Sequence, residues 1–122
     1  SGPYLMYTYA RCASILKQHA KQTIQLKEFE NIYNTPEESE LIRLLGTFPD
    51  AVKEAALNYS PNLICNYLFE LAQSFNKFYN QHSVLKAETE ELVQSRIALT
   101  AAVAQVVKKG LSLLGIQTVD AM

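Results

Sequence analysis

Several features that would indicate catalysis or metal binding are absent from this 122-residue sequence. It has only four glycines, scattered at positions 2, 46, 110 and 115, so it has no glycine-rich loop to cradle a phosphate. Cys12 and Cys65 lack metal-ligand spacing, and two free thiols are typical of a reduced, cytoplasmic protein. Both cysteines are expected in the core as small hydrophobes. His19 and His82 have no carboxylate or cysteine at ligand or triad spacing, and both are expected at the surface.

Long apolar runs are also missing, so no membrane partner is expected. No basic-then-apolar leader is present, so export is not expected either. Strand-type alternation is weak throughout. Apolar residues make up 48% of the chain and charged residues 19%, which is ordinary for a globular domain. This length and composition predict one domain over residues 1–122.

What the chain does contain is apolar residues at intervals of three and four, which predict an all-α bundle of about five helices. Prolines, capping hydroxyls and early acids mark where helices begin. The predicted starts are Pro3, Pro36, Phe48, Pro61 and the Glu88–Glu91 stretch. The predicted ends are Lys21, Gly46, the Asn80–Ser83 stretch and Gly115. A loop is expected over 22–36, and the apolar tail after Gly115 is expected to dock on the bundle.

The fourth predicted helix has the cleanest apolar stripe. The stripe consists of Ile64, Leu68, Leu71, Phe75 and Phe78. Tyr67 and Phe75 are therefore expected mainly to stabilise the fold. The short third helix is expected to bury Val52, Ala55, Ala56 and Tyr59.

The charges are distributed unevenly although the net charge is only −1. Residues 1–27 hold four cations and no acid, residues 28–54 carry a charge of −5, and residues 92–119 again hold no acid. Arg96, Lys108 and Lys109 are the cations of that last segment. We expect the first and last helices to pack side by side and to form one phosphate-facing positive surface.

Tyr4, Tyr7 and Arg11 recur at helical intervals near the beginning of the chain. Two phenol rings and a guanidinium in one row could stack on unpaired bases and hold a phosphate. Tyrosines at this spacing are also common as half-buried packing residues, and spacing alone leaves both interpretations open. The acidic stretch Glu37–Glu40 could attract a metal, but it is better explained by the negative charge that a helix start favours.

Several stretches together resemble the anticodon-binding domain of arginyl-tRNA synthetases, sometimes called the DALR domain. The resemblance covers essentially the whole chain in the same order. Its residues are Pro3–Arg11 with Ser14-Ile15-Leu16; Leu44-Leu45, Phe48-Pro49 and Val52; Pro61, Ile64, Tyr67-Leu68, Glu70-Leu71-Ala72, Phe75-Asn76, Phe78-Tyr79 and Val84-Leu85; and Arg96, Leu99, Val106, Gly110-Leu111, Leu113–Ile116 and Met122.

The resemblance implies a helical domain that grips the anticodon stem-loop of tRNA while a separate class I catalytic domain attaches arginine. It implies that Tyr4, Tyr7 and Met122 contact the anticodon loop. Two departures are Tyr9, where the family often has histidine, and Ala121, where arginine is frequent before the terminal methionine. The parent enzyme would use ATP and Mg²⁺, whereas no cofactor is expected in this domain.

The sequence lacks the catalytic signature segments of a class I synthetase, so the chain is expected to be a domain that cannot aminoacylate alone. From the residues and the resemblance together, the predicted tRNA-binding residues are Tyr4, Tyr7, Arg11, Lys108, Lys109 and Met122. Two alternatives remain: the equivalent domain of another class I synthetase, and a helical protein-interaction module without an RNA role.

Overall fold

A computed structural model describes residues 2–21 and 35–118 of the chain, and these form five α-helices. They are α1 (Gly2–Ala20), α2 (Pro36–Gly46), α3 (Phe48–Leu57), α4 (Pro61–Gln81) and α5 (Glu90–Leu113). The all-α bundle of about five helices is thus confirmed. Residues 22–34 of the predicted loop and residues 119–122 of the tail lie outside the described residues. Within the described ranges, no helix has the length and apolar character needed to span a bilayer.

Hydroxyl caps and a glycine set the helix ends where the sequence predicts them. The Thr35 hydroxyl accepts from the backbone N–H of Glu38 at 3.2 Å, and Pro36 occupies the first turn of α2. Thr89 caps α5 in the same way through the N–H of Leu92, also at 3.2 Å. Gly115 ends the last turn with a φ of +81°, a conformation that glycine adopts without strain.

Helix α4 is the central element, since it contacts each of the other four helices. Its predicted stripe is fully or almost fully buried, as are Tyr67 and Phe75 in particular. The Tyr67 hydroxyl donates to the backbone carbonyl of Leu44 on α2, and burial raises the pKa of Tyr67 to about 12. The expected core role of the α4 stripe is confirmed.

Two contacts show that α5 runs antiparallel to α4. Near one end the methyl groups of Leu68 lie against Gly110, where an added Cβ would come within 2.7 Å of them. Near the other end the guanidinium of Arg96 donates to the carbonyl of Ser83 at 2.8 Å. Gly110 therefore allows the two long helices to approach closely.

Helix α1, in contrast, runs parallel to α4. The Tyr4 ring lies 5.4 Å from the Phe69 ring. About two turns further along both helices, Arg11 donates to the Asn76 side chain at 2.7 Å. α1 also packs beside α5, as predicted. The beginning of α1 and the last turns of α5 consequently lie at the same end of the bundle.

The expected buried face of α3 is partly wrong. Ala55 is buried, whereas Ala56 is exposed and Tyr59 is 94% exposed. For Tyr59 the reason is that α3 ends at Leu57, so Tyr59 leaves the helical register and takes a φ of 49°.

Arg96 is not part of a positive surface, which corrects the expectation for this residue. It is buried and its guanidinium faces the fully buried carboxylate of Glu38, 3.5 Å away. The Thr35 hydroxyl also donates to that carboxylate at 2.7 Å. One cation of α5 thus forms an internal ion pair with a residue in the first turn of α2.

The histidines are also less exposed than predicted. The His82 ring nitrogen lies 2.7 Å from a carboxylate oxygen of Glu37, with the His82 side chain only 20% exposed. This hydrogen bond holds the pKa of Glu37 below its ordinary value. His19 is half-buried, and its Nε2 atom is buried without a partner among the described residues.

Cys12 is fully buried as expected, whereas Cys65 is only half-buried.

Candidate nucleic-acid interface

An aromatic and cationic cluster forms where α1 passes α4. Tyr7 is 48% exposed on α1 and Tyr79 is 37% exposed on α4. The Arg11 guanidinium carbon lies 4.3 Å from the centre of the Tyr79 ring and 5.0 Å from that of the Tyr7 ring. These are cation–π distances, so the guanidinium is held between two partly exposed rings.

Hydrogen bonds fix the position of Arg11 within this cluster. One of its terminal nitrogens donates to Asn76 Oδ1 at 2.7 Å, and the other donates to the Tyr7 hydroxyl at 3.0 Å. A guanidinium has five N–H donors, so these two bonds do not exhaust its capacity to hold a phosphate. Arg11 is therefore pre-positioned and still chemically competent to bind an anion.

The amide of Asn76 connects the cluster to the interior. It is 9% exposed, and its Nδ2 donates to the Tyr4 hydroxyl and to Thr8 Oγ1, each at 3.0 Å. The Thr8 hydroxyl in turn donates to the backbone carbonyl of Tyr4 at 3.0 Å. This network holds the exposed part of α1 rigidly against α4.

Tyr4 and Tyr7 share a helix row but differ in their surroundings. Tyr4 is half-buried, packs against the core and tilts towards Phe69, while its hydroxyl is bound by Asn76. Tyr4 therefore matches the packing interpretation that the spacing left open. Tyr7 has about half of its surface exposed and is the ring of the pair that is available for stacking.

Two adjoining hollows extend from this cluster along the bundle. The first, of about 220 Å³, is lined by Tyr7, Arg11, Tyr79 and three neighbours from α1. The second, of about 390 Å³, shares Ile15, Gln18 and Tyr79 with the first and continues to Lys86 in the α4–α5 connection. Together they make a continuous groove with aromatic, polar and cationic walls.

The remaining predicted binding residues lie apart from this groove or beyond the described residues. Lys108 and Lys109 are exposed on α5, at the end of the bundle where α1 begins. Lys108 lines a separate hollow, of about 300 Å³, which shares no residue with the groove. Met122 lies outside the described residues. The structure thus brings Tyr7 and Arg11 together, whereas Lys108 lines a different hollow.

Tyr79 and Asn76 are site residues that the analysis of spacing did not identify. Both belong to α4, a helix that the sequence analysis interpreted through its apolar stripe alone. A signal was nevertheless present, because an asparagine one position after Phe75 and a tyrosine one position after Phe78 fall outside the apolar face. Only the packing of α1 against α4 reveals that they meet Arg11.

The side chains of the cluster are suited to binding. Exposed tyrosines stack on bases whose faces are free, and a positioned guanidinium holds the backbone between them. Among the described residues, no group of three or more potential metal-ligating side chains is present. These features define an all-helical domain with a surface suited to single-stranded nucleic acid.

Comparisons with known proteins identify the domain. A sequence model described as the DALR anticodon binding domain matches residues 5–122. The arginine–tRNA ligases of Bacteroides fragilis and Clostridium botulinum are each 40% identical to the chain, over 124 and 122 residues. Each alignment covers 100% of this chain and 21% of the relative.

Solved structures agree with this assignment. An arginyl-tRNA synthetase of Thermus thermophilus superposes with a TM-score of 0.89 at 33% identity, covering 100% of this chain and 21% of that one. One from Plasmodium falciparum superposes with a TM-score of 0.81 at 24% identity, with the same coverage, which shows the shared fold alone. The chain belongs to the DALR anticodon binding domain family. It spans about a fifth of the length of the curated relatives it matches.

Proposed function

We propose that this chain is the tRNA-binding domain of an arginine–tRNA ligase and recognises the anticodon stem-loop. The observation that carries the proposal is the arrangement of Tyr7, Arg11 and Tyr79, in which a fixed guanidinium lies between two partly exposed rings. An anticodon loop presents unstacked bases joined by phosphates, and this cluster offers one partner for each. The 40% identity to arginine–tRNA ligases over the whole chain supports the choice of enzyme.

In this proposal the longer parent protein is a cytoplasmic class I enzyme that attaches arginine to tRNA. A separate catalytic domain would carry ATP and Mg²⁺, and the present domain would hold the tRNA without a cofactor of its own. Lys108 and Lys109 would add contacts from the end of the bundle at which α1 begins, and Met122 would add a further contact. Met122 would press its soft apolar side chain on a base or ribose face.

The direct test is titration of the chain with a fluorescently labelled anticodon stem-loop of arginine tRNA. We expect Tyr7→Ala and Tyr79→Ala each to weaken binding by about 1–3 kcal/mol, or roughly 5–150-fold, as base–aromatic contacts generally do. Tyr59→Ala is the matched control, since Tyr59 is an exposed tyrosine that is not part of the Tyr7, Arg11 and Tyr79 cluster. Its affinity should equal that of the unmodified chain.

Salt dependence provides a second readout. Phosphate contacts release counterions, so affinity should fall steeply with salt, by about 0.7 of a logarithmic unit per contact for each tenfold increase on a single strand. Arg11→Met should make this dependence shallower. Equal affinity for the stem-loop and for an unrelated hairpin, or a flat response to salt, would favour the protein-interaction module. Tighter binding to the stem-loop of another tRNA would favour a domain of a different class I synthetase.

A further inference from the structure

Two largely exposed apolar side chains lie at the end of α3 and in the turn that leads to α4. Leu57 is 70% exposed and Tyr59 is 94% exposed, the two highest values among the large exposed hydrophobic residues of the described ranges. Neighbouring Ala56 and Pro61 are exposed as well. We refer to residues 56–61 as the α3–α4 knob.

The backbone of the α3–α4 knob adopts a conformation that favours glycine. The N–H of Tyr59 bonds to the carbonyl of Ala56 at 3.3 Å, and the N–H of Ser60 bonds to that of Ala55 at 2.9 Å. This is the Schellman helix ending, with its left-handed position at Tyr59, where φ is 49°. A side chain other than glycine or asparagine is strained there.

The same helix ending occurs at the end of α5, and there the sequence does supply glycine. The N–H of Gly115 bonds to the carbonyl of Ser112 and that of Ile116 to the carbonyl of Leu111, both at 2.9 Å. The chain therefore uses the unstrained residue at one ending and an exposed tyrosine at the other. Tyr59 is 94% exposed in the part of the chain that the structure describes, so its ring makes little contact there that could offset the strain. Uncompensated departures of this kind occur mainly at functional positions.

The charges around the knob argue against nucleic acid as its partner. Between Gly46 and Asn76 the sequence carries Asp50, Glu54 and Glu70 against a single cation, Lys53. This stretch of the sequence therefore offers no excess of positive charge to a phosphate backbone. An apolar protein surface, in contrast, fits an exposed leucine and tyrosine flanked by polar side chains.

The relatives provide a source for such a surface. In the arginine–tRNA ligases that align with the whole chain, these residues make up 21% of the protein, and the other four-fifths is attached to them. A domain that holds tRNA for a distant catalytic site needs a defined orientation on the rest of the enzyme, and an apolar contact provides one.

We propose that the α3–α4 knob docks the domain onto the remainder of its own longer polypeptide, with Tyr59 and Leu57 as the buried anchors. This proposal rests on the proposed function, because the occupant is the rest of an arginine–tRNA ligase. The strained tyrosine is retained because its ring is buried in that contact. The docking anchors Leu57 and Tyr59 are then distinct from the Tyr7, Arg11 and Tyr79 cluster that is proposed to bind RNA.

Hydroxyl-radical footprinting read by mass spectrometry tests the proposal. The 122-residue chain and the full-length protein are each oxidised with and without arginine tRNA. In the full-length protein without tRNA, Tyr59 should lose most of the reactivity that it shows in the 122-residue chain, while Tyr7 stays reactive. Tyr59 that remains equally reactive in both proteins, or that is protected only when tRNA is added, would overturn the proposal.

This experiment tests the RNA-binding proposal and the docking proposal separately. Protection of Tyr7 on addition of tRNA reports on the RNA surface, whereas protection of Tyr59 without tRNA reports on docking. A full-length protein that protects Tyr59 but never Tyr7 would contradict the RNA-binding role and leave docking to the polypeptide supported.

Tyr59→Gly gives an independent readout with opposite signs in the two proteins. In the 122-residue chain it removes the backbone strain, so the melting temperature should rise by about 3–5 °C. In the full-length protein it also removes a docking anchor, so the melting temperature of this domain should fall. Tyr59→Asn, which tolerates the same φ, should behave alike. An equal rise in both proteins would show that Tyr59 makes no contact beyond its own domain.

Discussion

Arg96→Met is the substitution that most directly separates a structural cation from an RNA-binding one. In the structure Arg96 faces the buried carboxylate of Glu38 at 3.5 Å and donates to the Ser83 carbonyl at 2.8 Å. Methionine has a similar length and fills the space without the charge. The carboxylate of Glu38 would then stay buried with only the Thr35 hydroxyl as a side-chain donor.

The size of the effect follows from leaving one ion of a buried pair uncompensated. Removing one partner of such a pair costs about 3–5 kcal/mol. Small domains have a total stability of about 5–15 kcal/mol, so the loss would be about 30–50% of a mid-range value of about 10 kcal/mol. For a chain of this length the corresponding fall in melting temperature is about 10–20 °C.

The assay is thermal melting combined with stem-loop titration of the same variants. We expect Arg96→Met to melt early and to bind RNA normally once folded. Adding Glu38→Gln should restore at least half of the lost stability, because no charge then remains unpaired. Arg43→Met is the matched control. Arg43 pairs with Glu40 at 2.6 Å on the surface, so its loss should leave melting almost unchanged. An Arg96→Met chain that melts normally but no longer binds RNA would refute this reasoning.

Three further outcomes can be measured on the same chain. Phe75→Ala should cost about 3–5 kcal/mol in urea unfolding, since the ring is fully buried, and a chain that unfolds normally would contradict this. Burial raises the pKa of Cys12 to about 12, so at pH 8 only about one thiol in 10⁴ is ionised. Iodoacetamide should therefore spare Cys12 until urea unfolds the chain, and fast native alkylation would contradict its burial. Tyr4→Phe should cost about 1 kcal/mol of stability through the lost bond from Asn76, and Tyr4→Ala more; equal melting of both would show that the Tyr4 ring does not pack.

Most of the fold follows from local signals in the sequence. Proline at Pro36 and Pro61, hydroxyl caps and the stop at Gly115 act within one or two turns, so their effects are readable without a structure. The α4 stripe is equally local, because residues at intervals of three and four share a face. Tyr59 shows the limit of this reasoning. Its spacing fits the α3 stripe, but the helix ends two residues before it.

The candidate site was predictable only in part, because it depends on which helix covers which face. Spacing places Tyr4 and Tyr7 in one row but does not reveal that α4 covers Tyr4 and leaves Tyr7 exposed. For the same reason the sign of a charge does not reveal its location. Arg96 belongs to an acid-free segment, yet its partner Glu38 comes from a helix 58 residues earlier in the chain.

The partners of the three arginines indicate why Arg11 is the one suited to hold a phosphate. Arg43 and Arg96 each face a carboxylate, so their positive charge is largely neutralised. The hydrogen bonds of Arg11 run, in the part of the chain that the structure describes, to an amide and a phenol. These neutral groups orient the guanidinium without cancelling its charge. An aspartate in place of Asn76 would hold Arg11 as well but would remove the positive potential that an approaching phosphate requires.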